Sequence, residues 1–153
     1  MNTRITYAAL AAAALLSLAA CGAPEPEVAK GPISEARTTA FKSMMPNFSS
    51  MGKMVKGDEP YEVEKFKAAA ATFVEESKKP FEHFQKDKQG DGDTLPVTWE
   101  KPDEFKAAEE KFFAAVANLN AKAQGGNLEE IKAAYGEVGA NCKSCHDVFR
   151  RPK

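Results

Sequence analysis

Residues 127–146 read NLEEIKAAYGEVGANCKSCH, and the spacing inside this stretch decides what kind of fold the chain can adopt. Leu128, Ile131, Tyr135, Val138, Cys142 and Cys145 recur at intervals of three and four, the period of one helical face. The segment is therefore predicted to be an α-helix whose buried stripe carries two cysteines. Asn127 with Glu130 makes a capping-box pattern at its start, and Gly125-Gly126 ends whatever helix comes before.

Working back toward the N-terminus, the same period appears in further segments. Pro102 suits a first helical position and is followed by Phe105, Ala108, Phe112, Val116 and Leu119 on one face. A helix after Pro60 carries Val63, Phe66, Ala70, Phe73 and Val74, and Pro80 stops it. Ser34 is placed to cap another, with Phe41, Met44 or Met45, Phe48, Met51 and Val55 recurring until Gly57 and Pro60. Residues 80–101, with Gly90, Gly92, Pro96 and the only tryptophan, Trp99, form a long connection. Four stripes and no alternating strand pattern predict an all-α chain, an antiparallel four-helix bundle over residues 34–153. The helices are rich in Ala, which brings backbones close but supplies little apolar area, so such a core gains from a large planar apolar cofactor. Most of the Phe and Met positions need no reading beyond ordinary core.

The chemistry sits at the end of the opening stretch. Cys142-Lys143-Ser144-Cys145-His146 matches the pattern by which c-type haem is attached, Cys-x-x-Cys-His. Positions i, i+3 and i+4 share one helical face, so both thiols can reach the two vinyl groups while His146 turns its imidazole to the iron. A thioredoxin-like pair is expected beside a βαβ pattern, which this chain lacks. A zinc site would need a fourth ligand, with only His83 at hand, and a disulfide three residues apart would close too short a loop to stabilise much. His83 itself, between Phe81 and Phe84, reads as an exposed or packed histidine. No phosphate loop, paired-histidine metal motif or nucleophile elbow appears, so the chain is read as a binding protein and not an enzyme.

Charge names no partner: 21 Lys and Arg against 22 Asp and Glu leave no field to recruit nucleic acid. The N-terminus is more telling. Residues 1–20 have Arg4, then an Ala- and Leu-rich run ending Leu18-Ala19-Ala20-Cys21, the layout of a signal peptide. The run from Ile5 to Ala20 is 16 residues and includes Thr6 and Ser17, against the ~20 apolar residues a membrane span needs. Leu-Ala-Ala-Cys resembles the lipobox of bacterial lipoproteins, in which Cys21 would become the first residue and carry a diacylglycerol. At about 0.8 kcal/mol per buried methylene, two such chains anchor a protein stably. Residues 21–33, with Pro24, Pro26 and Pro32, then read as a lipidated tether holding the domain off a membrane in the periplasm. Ordinary cleavage to a soluble periplasmic protein is the alternative.

Beyond the pentapeptide, Arg37 followed four residues later by bulky Phe41, Met54-Val55-Lys56-Gly57 with Pro60-Tyr61, Pro96-Val97-Thr98-Trp99 and Gly136-Glu137-Val138-Gly139 together resemble the cytochrome c' family over residues 34–150. The resemblance implies one covalently bound haem c, with His146 the sole protein ligand and an apolar residue, Phe41, over the opposite face. It places Arg37 by a propionate, Arg150 by the proximal imidazole, and Thr38 and Asp93 among the haem contacts. Thr38 stands where many members have a longer polar side chain and Phe81 where many have tryptophan, so the haem edge is expected to differ. Five-coordinate high-spin iron binding small diatomic gases such as NO or CO is the function so implied, in NO handling or protection. Low-spin electron transfer with a redox partner protein is the second reading, with Met44 or Met45 as sixth ligand. Family members often pair through their first two helices, which implies a homodimer.

Overall fold

The computed structural model describes residues 28–152; the signal-peptide and Cys21 readings, and most of the tether, fall outside them. The long helices are α1, Pro32–Lys56, and α2, Val63–Glu76, followed by a 3-10 turn, Lys79–His83. A short helix α3, Val97–Glu100, precedes α4, Pro102–Gly125, and α5, Leu128–Phe149. No strand occurs among the described residues, only two isolated β-bridges. Helix α1 packs on α2, α2 on α4, α4 on α5, and α5 returns to α1, which closes an all-α four-helix bundle. Its centre is built by Met51, Phe66, Phe73, Leu119, Ile131 and Val138, with Ala69, Ala70, Ala115, Ala123 and Ala134 letting the backbones approach. No described helix is long and apolar enough to cross a membrane.

Several helix ends differ from the sequence reading. Helix α1 begins at Pro32 with Gly31 as its N-cap, so Ser34 lies inside the first turn and its Oγ accepts from the Gly31 N–H at 3.0 Å. The Ser34 N–H is instead capped by Asp87 Oδ2 at 2.9 Å, a carboxylate 53 residues away. At α5 the Asn127 Oδ1 accepts from the Glu129 and Glu130 N–H groups, but the Glu130 carboxylate pairs with Lys122, and the reciprocal half of the box is not made. Helix α2 stops at Glu76, ahead of Pro80, which lies buried inside the 3-10 turn. Val63, assigned to the apolar face, opens α2 at the surface with 41% exposure.

The long connection is folded, not loose. Gly31 N–H donates to Gly90 O and Gly92 N–H to Ala29 O, both at 3.0 Å, while Leu95 N–H donates to Phe149 O at 2.9 Å and Arg151 N–H to Asp93 O at 2.7 Å. Residues 90–95 are thus stitched between the segment entering α1 and the end of α5. Gly90 has φ +138°, and a Cβ there would lie 2.3 Å from the Ala29 carbonyl, so only glycine fits this crossing.

Candidate functional site

A cavity of about 370 Å³ opens between α1 and α5. Cys142, Cys145, His146 and Arg150 line it from the α5 side, Arg37, Thr38 and Phe41 from α1, and Asp93 from the connection, so all eight predicted site residues meet in one place. Met44 and Met45 line it too, the first buried and the second 45% exposed.

The α5 wall follows from helical periodicity alone. Both thiols are half-buried, and burial pushes the Cys142 thiol up from its ordinary value. Cys145 is pushed up to about 11, by burial first and then by Cys142. Thiols held in the neutral form are slow in disulfide exchange, which runs through the thiolate. Addition to a vinyl group, giving a thioether, is chemistry open to them. His146 is held below its ordinary value, chiefly by burial, then by the positive Arg150, with Asp147 opposing. A neutral imidazole is the form that ligates a metal.

The α1 wall is set from outside the helix. Phe41 faces His146 with ring centroids 6.5 Å apart at 75°, and it meets Phe81 and Phe84 edge-on at 6.0 and 6.1 Å. Arg37 is 3% exposed, and its Nη1 donates to the carbonyls of His83 at 2.8 Å and Gln85 at 3.3 Å. Its Nη2 donates to the Asp91 carbonyl at 3.0 Å and lies 3.9 Å from the Asp91 carboxylate. The guanidinium also sits over the Phe84 ring at 5.0 Å, and Trp99 Nε1 donates to Asp91 Oδ2 at 3.1 Å. Burial lowers the Arg37 pKa, against the pull of Asp91 and Asp87. Arg37 therefore binds the connection to α1 one turn before Phe41. Thr38 Oγ1 donates to the Ser34 carbonyl of its own helix at 2.9 Å, and Arg150 pairs with Asp93 at 3.6 Å. His83 is half-buried and serves Arg37 with its carbonyl.

Sequence reasoning missed Asp91 and Phe84 at the cavity, and Asp87 behind it. Asp91 and Asp87 lie in a connection with no helical period, and their importance comes from burying Arg37 and capping α1. Phe84, Phe105 and Phe149 also line the cavity; the last two sit on predicted or actual helix faces and were indistinguishable from core.

A flat apolar group suits this space. The Phe41 and His146 rings face each other from α1 and α5, so the cavity is flanked by an apolar ring on one side and an imidazole on the other. Eight phenylalanines and two methionines make the apolar part of the wall, and two thiols stand a helical turn apart beside an imidazole. A helical bundle with this donor set is a c-type cytochrome by fold and by site.

The comparisons agree. The family model described as Cytochrome C' matches residues 33–150, and the chain belongs to the cytochrome c' family. Cytochrome c' of Alcaligenes xylosoxydans xylosoxydans is 35% identical over 117 residues, 76% of this chain and 91% of the relative. The nitric oxide complex of a leucine-to-alanine variant of cytochrome c prime from Alcaligenes xylosoxidans superposes with TM-score 0.75 at 34% identity, over 79% of this chain and 94% of that one. A carbon monoxide-bound leucine-to-glycine variant of the same protein gives TM-score 0.74 at 33% identity, over 78% and 94%. The cofactor is a single covalently attached c-type haem.

Proposed function

We propose that the chain is an exported gas-binding haem protein that takes up NO or CO, used in NO handling or protection, and that it is a carrier and not an enzyme. When bound, the haem supplies an iron able to take a small uncharged diatomic ligand. Cys142 and Cys145 would hold the group through thioethers, and His146 would be the protein's one iron ligand. Phe41, facing His146 from α1, is an apolar ring with no donor atom and would cover the iron on the side away from that ligand. Arg37, expected by a propionate, instead commits its Nη1 and Nη2 to three connection carbonyls and fixes the turn that carries Phe41, while Arg150, paired with Asp93, sets the charge beside the imidazole. The observation that carries this reading is the Phe41 ring opposed to His146 across the cavity. The gas complexes of the related cytochrome c prime support the ligand class.

The ferrous absorption spectrum tests it: a broad high-spin Soret band that shifts under CO is expected. Sharp, split low-spin bands would favour electron transfer with a methionine ligand, a reading kept because Met44 and Met45 also line the cavity. Export, with residues 1–20 removed and Cys21 lipidated, follows from the lipobox-like sequence; of the tether expected over residues 21–33, Ala29 and Gly31 bond to the connection and Pro32 opens α1, which leaves the preceding residues to link the domain to a periplasmic membrane face. Cys21→Ser should release the protein from membrane fractions or leave it unprocessed; unchanged membrane association rejects the anchor. The bundle, expected over residues 34–153, starts with α1 at Pro32, and a homodimer through α1 and α2 is what the family resemblance implies.

A further inference from the structure

Helices α1 and α5 form opposite walls of the cavity, and away from it they meet at a notch. Gly52 of α1 is buried, and a Cβ at that position would lie 2.3 Å from Tyr135 Oη and 3.0 Å from Cζ. The phenol is not free to step aside. Its hydroxyl donates to the Phe48 carbonyl at 3.1 Å, and its ring stacks on Phe48 with centroids 4.4 Å apart at 14°. Phe48 stacks in turn on Phe73 at 5.3 Å, and both of these rings line the cavity. Glycine here is required by close approach, since α1 takes an ordinary helical backbone at this position.

The notch lies at equal arm's length from the two groups that face each other across the haem space. Gly52 follows Phe41 by 11 residues and His146 follows Tyr135 by 11. At 1.5 Å rise per residue, each arm is about 16 Å. We propose that Gly52 and Tyr135 form a spacer that sets the distance from Phe41 to the iron-bearing imidazole, and so sets how fast a gas enters. This rests on the reading of Phe41 as the cover of the open iron face. Pro46 lies between Phe41 and Gly52 and removes one hydrogen bond from α1, to the Lys42 carbonyl, so helix flexure there competes with transmission. Against that flexure, Arg37 and the Asp87 cap hold the front of α1 to the connection.

The test measures CO association to the ferrous haem protein by flash photolysis. Gly52→Ala must move the helices apart by about 1 Å to reach van der Waals distance, and the rate should rise about fivefold or more, equal to ~1 kcal/mol. Tyr135→Phe, which keeps the ring and loses the tie to Phe48, should raise it about twofold. Crystal structures should show a larger Phe41–His146 separation in Gly52→Ala than in the parent, a readout independent of gas binding. In a Phe41→Ala background, adding Gly52→Ala should change the rate by less than about twofold, because the cover it positions is gone. Should Gly52→Ala not accumulate, Tyr135→Phe decides: a parental rate with a lowered Tm means a purely structural contact and overturns the spacer. A parental rate in Gly52→Ala, with Pro46 absorbing the shift, overturns it as well. No effect of Phe41→Ala would reject the cover, whereas fast Phe41→Ala with parental Gly52→Ala rejects only the spacer.

Discussion

The two walls of the cavity are made in different ways. On α5, Cys142, Cys145 and His146 lie within five consecutive residues, and one helical turn is enough to aim all of them at the same space. On α1, Phe41 and Arg37 owe their positions to groups far along the chain. Arg37 is held by carbonyls 46 to 54 residues away, and the helix start is capped by Asp87 from the connection. The wall that binds the cofactor is local and robust. The α1 wall, proposed to control what reaches the iron, is assembled only by folding, so changes far from the haem motif can alter it without touching the thiols.

The largest expected effect comes from breaking the local wall. Cys142→Ala with Cys145→Ala should abolish covalent haem, so that acidic acetone extracts whatever haem remains, and the chain should lose stability with its large apolar cofactor. Haem that resists extraction in that variant would overturn the attachment. On the other wall, Phe41→Ala should leave attachment intact and raise CO and NO association tenfold for each ~1.4 kcal/mol of barrier removed, measured by stopped flow. Parental rates with an unchanged ferric spectrum would move attention to Met44 or Met45. These two variants together separate the walls: the first loses the cofactor, the second only the control of access.

The smallest effect sharpens the role of the connection. Asp87 is held below its ordinary pKa of 3.8, first by the Ser34 N–H and also by the Gln89 and Ile33 N–H groups and by Arg37. A carboxylate lowered on folding stabilises the protein at pH above its unfolded value, and the contribution is lost as pH falls through the folded value. Asp87→Asn should therefore lower Tm at neutral pH, and the difference from the parent should shrink as pH drops below 3.8. A Tm difference independent of pH would mean that the charge of Asp87 plays no part in capping α1.

Periodicity made the four long helices legible, along with the shared face of Cys142, Cys145 and His146, because these depend on residues within a turn or two of each other. Arg37 and Phe41 could be singled out only through resemblance to relatives, since an arginine and a phenylalanine one turn apart on an amphipathic helix carry no signal of their own. The ends of the helices were less readable. Ser34 looked like a cap, yet the cap of α1 is a distant carboxylate, and no local pattern can announce a partner 53 residues away. The connection was harder still, because Asp87, Asp91 and Phe84 follow no period and gain their roles only when residues 90–95 are drawn between the two ends of the chain. The sequence by itself determined the helices and the cofactor's attachment, which are set by covalent order and helical pitch. Tertiary structure alone decided the shape of the cavity and which residues of α1 face the haem motif, since both depend on how two helices far apart in the sequence come to lie against one another.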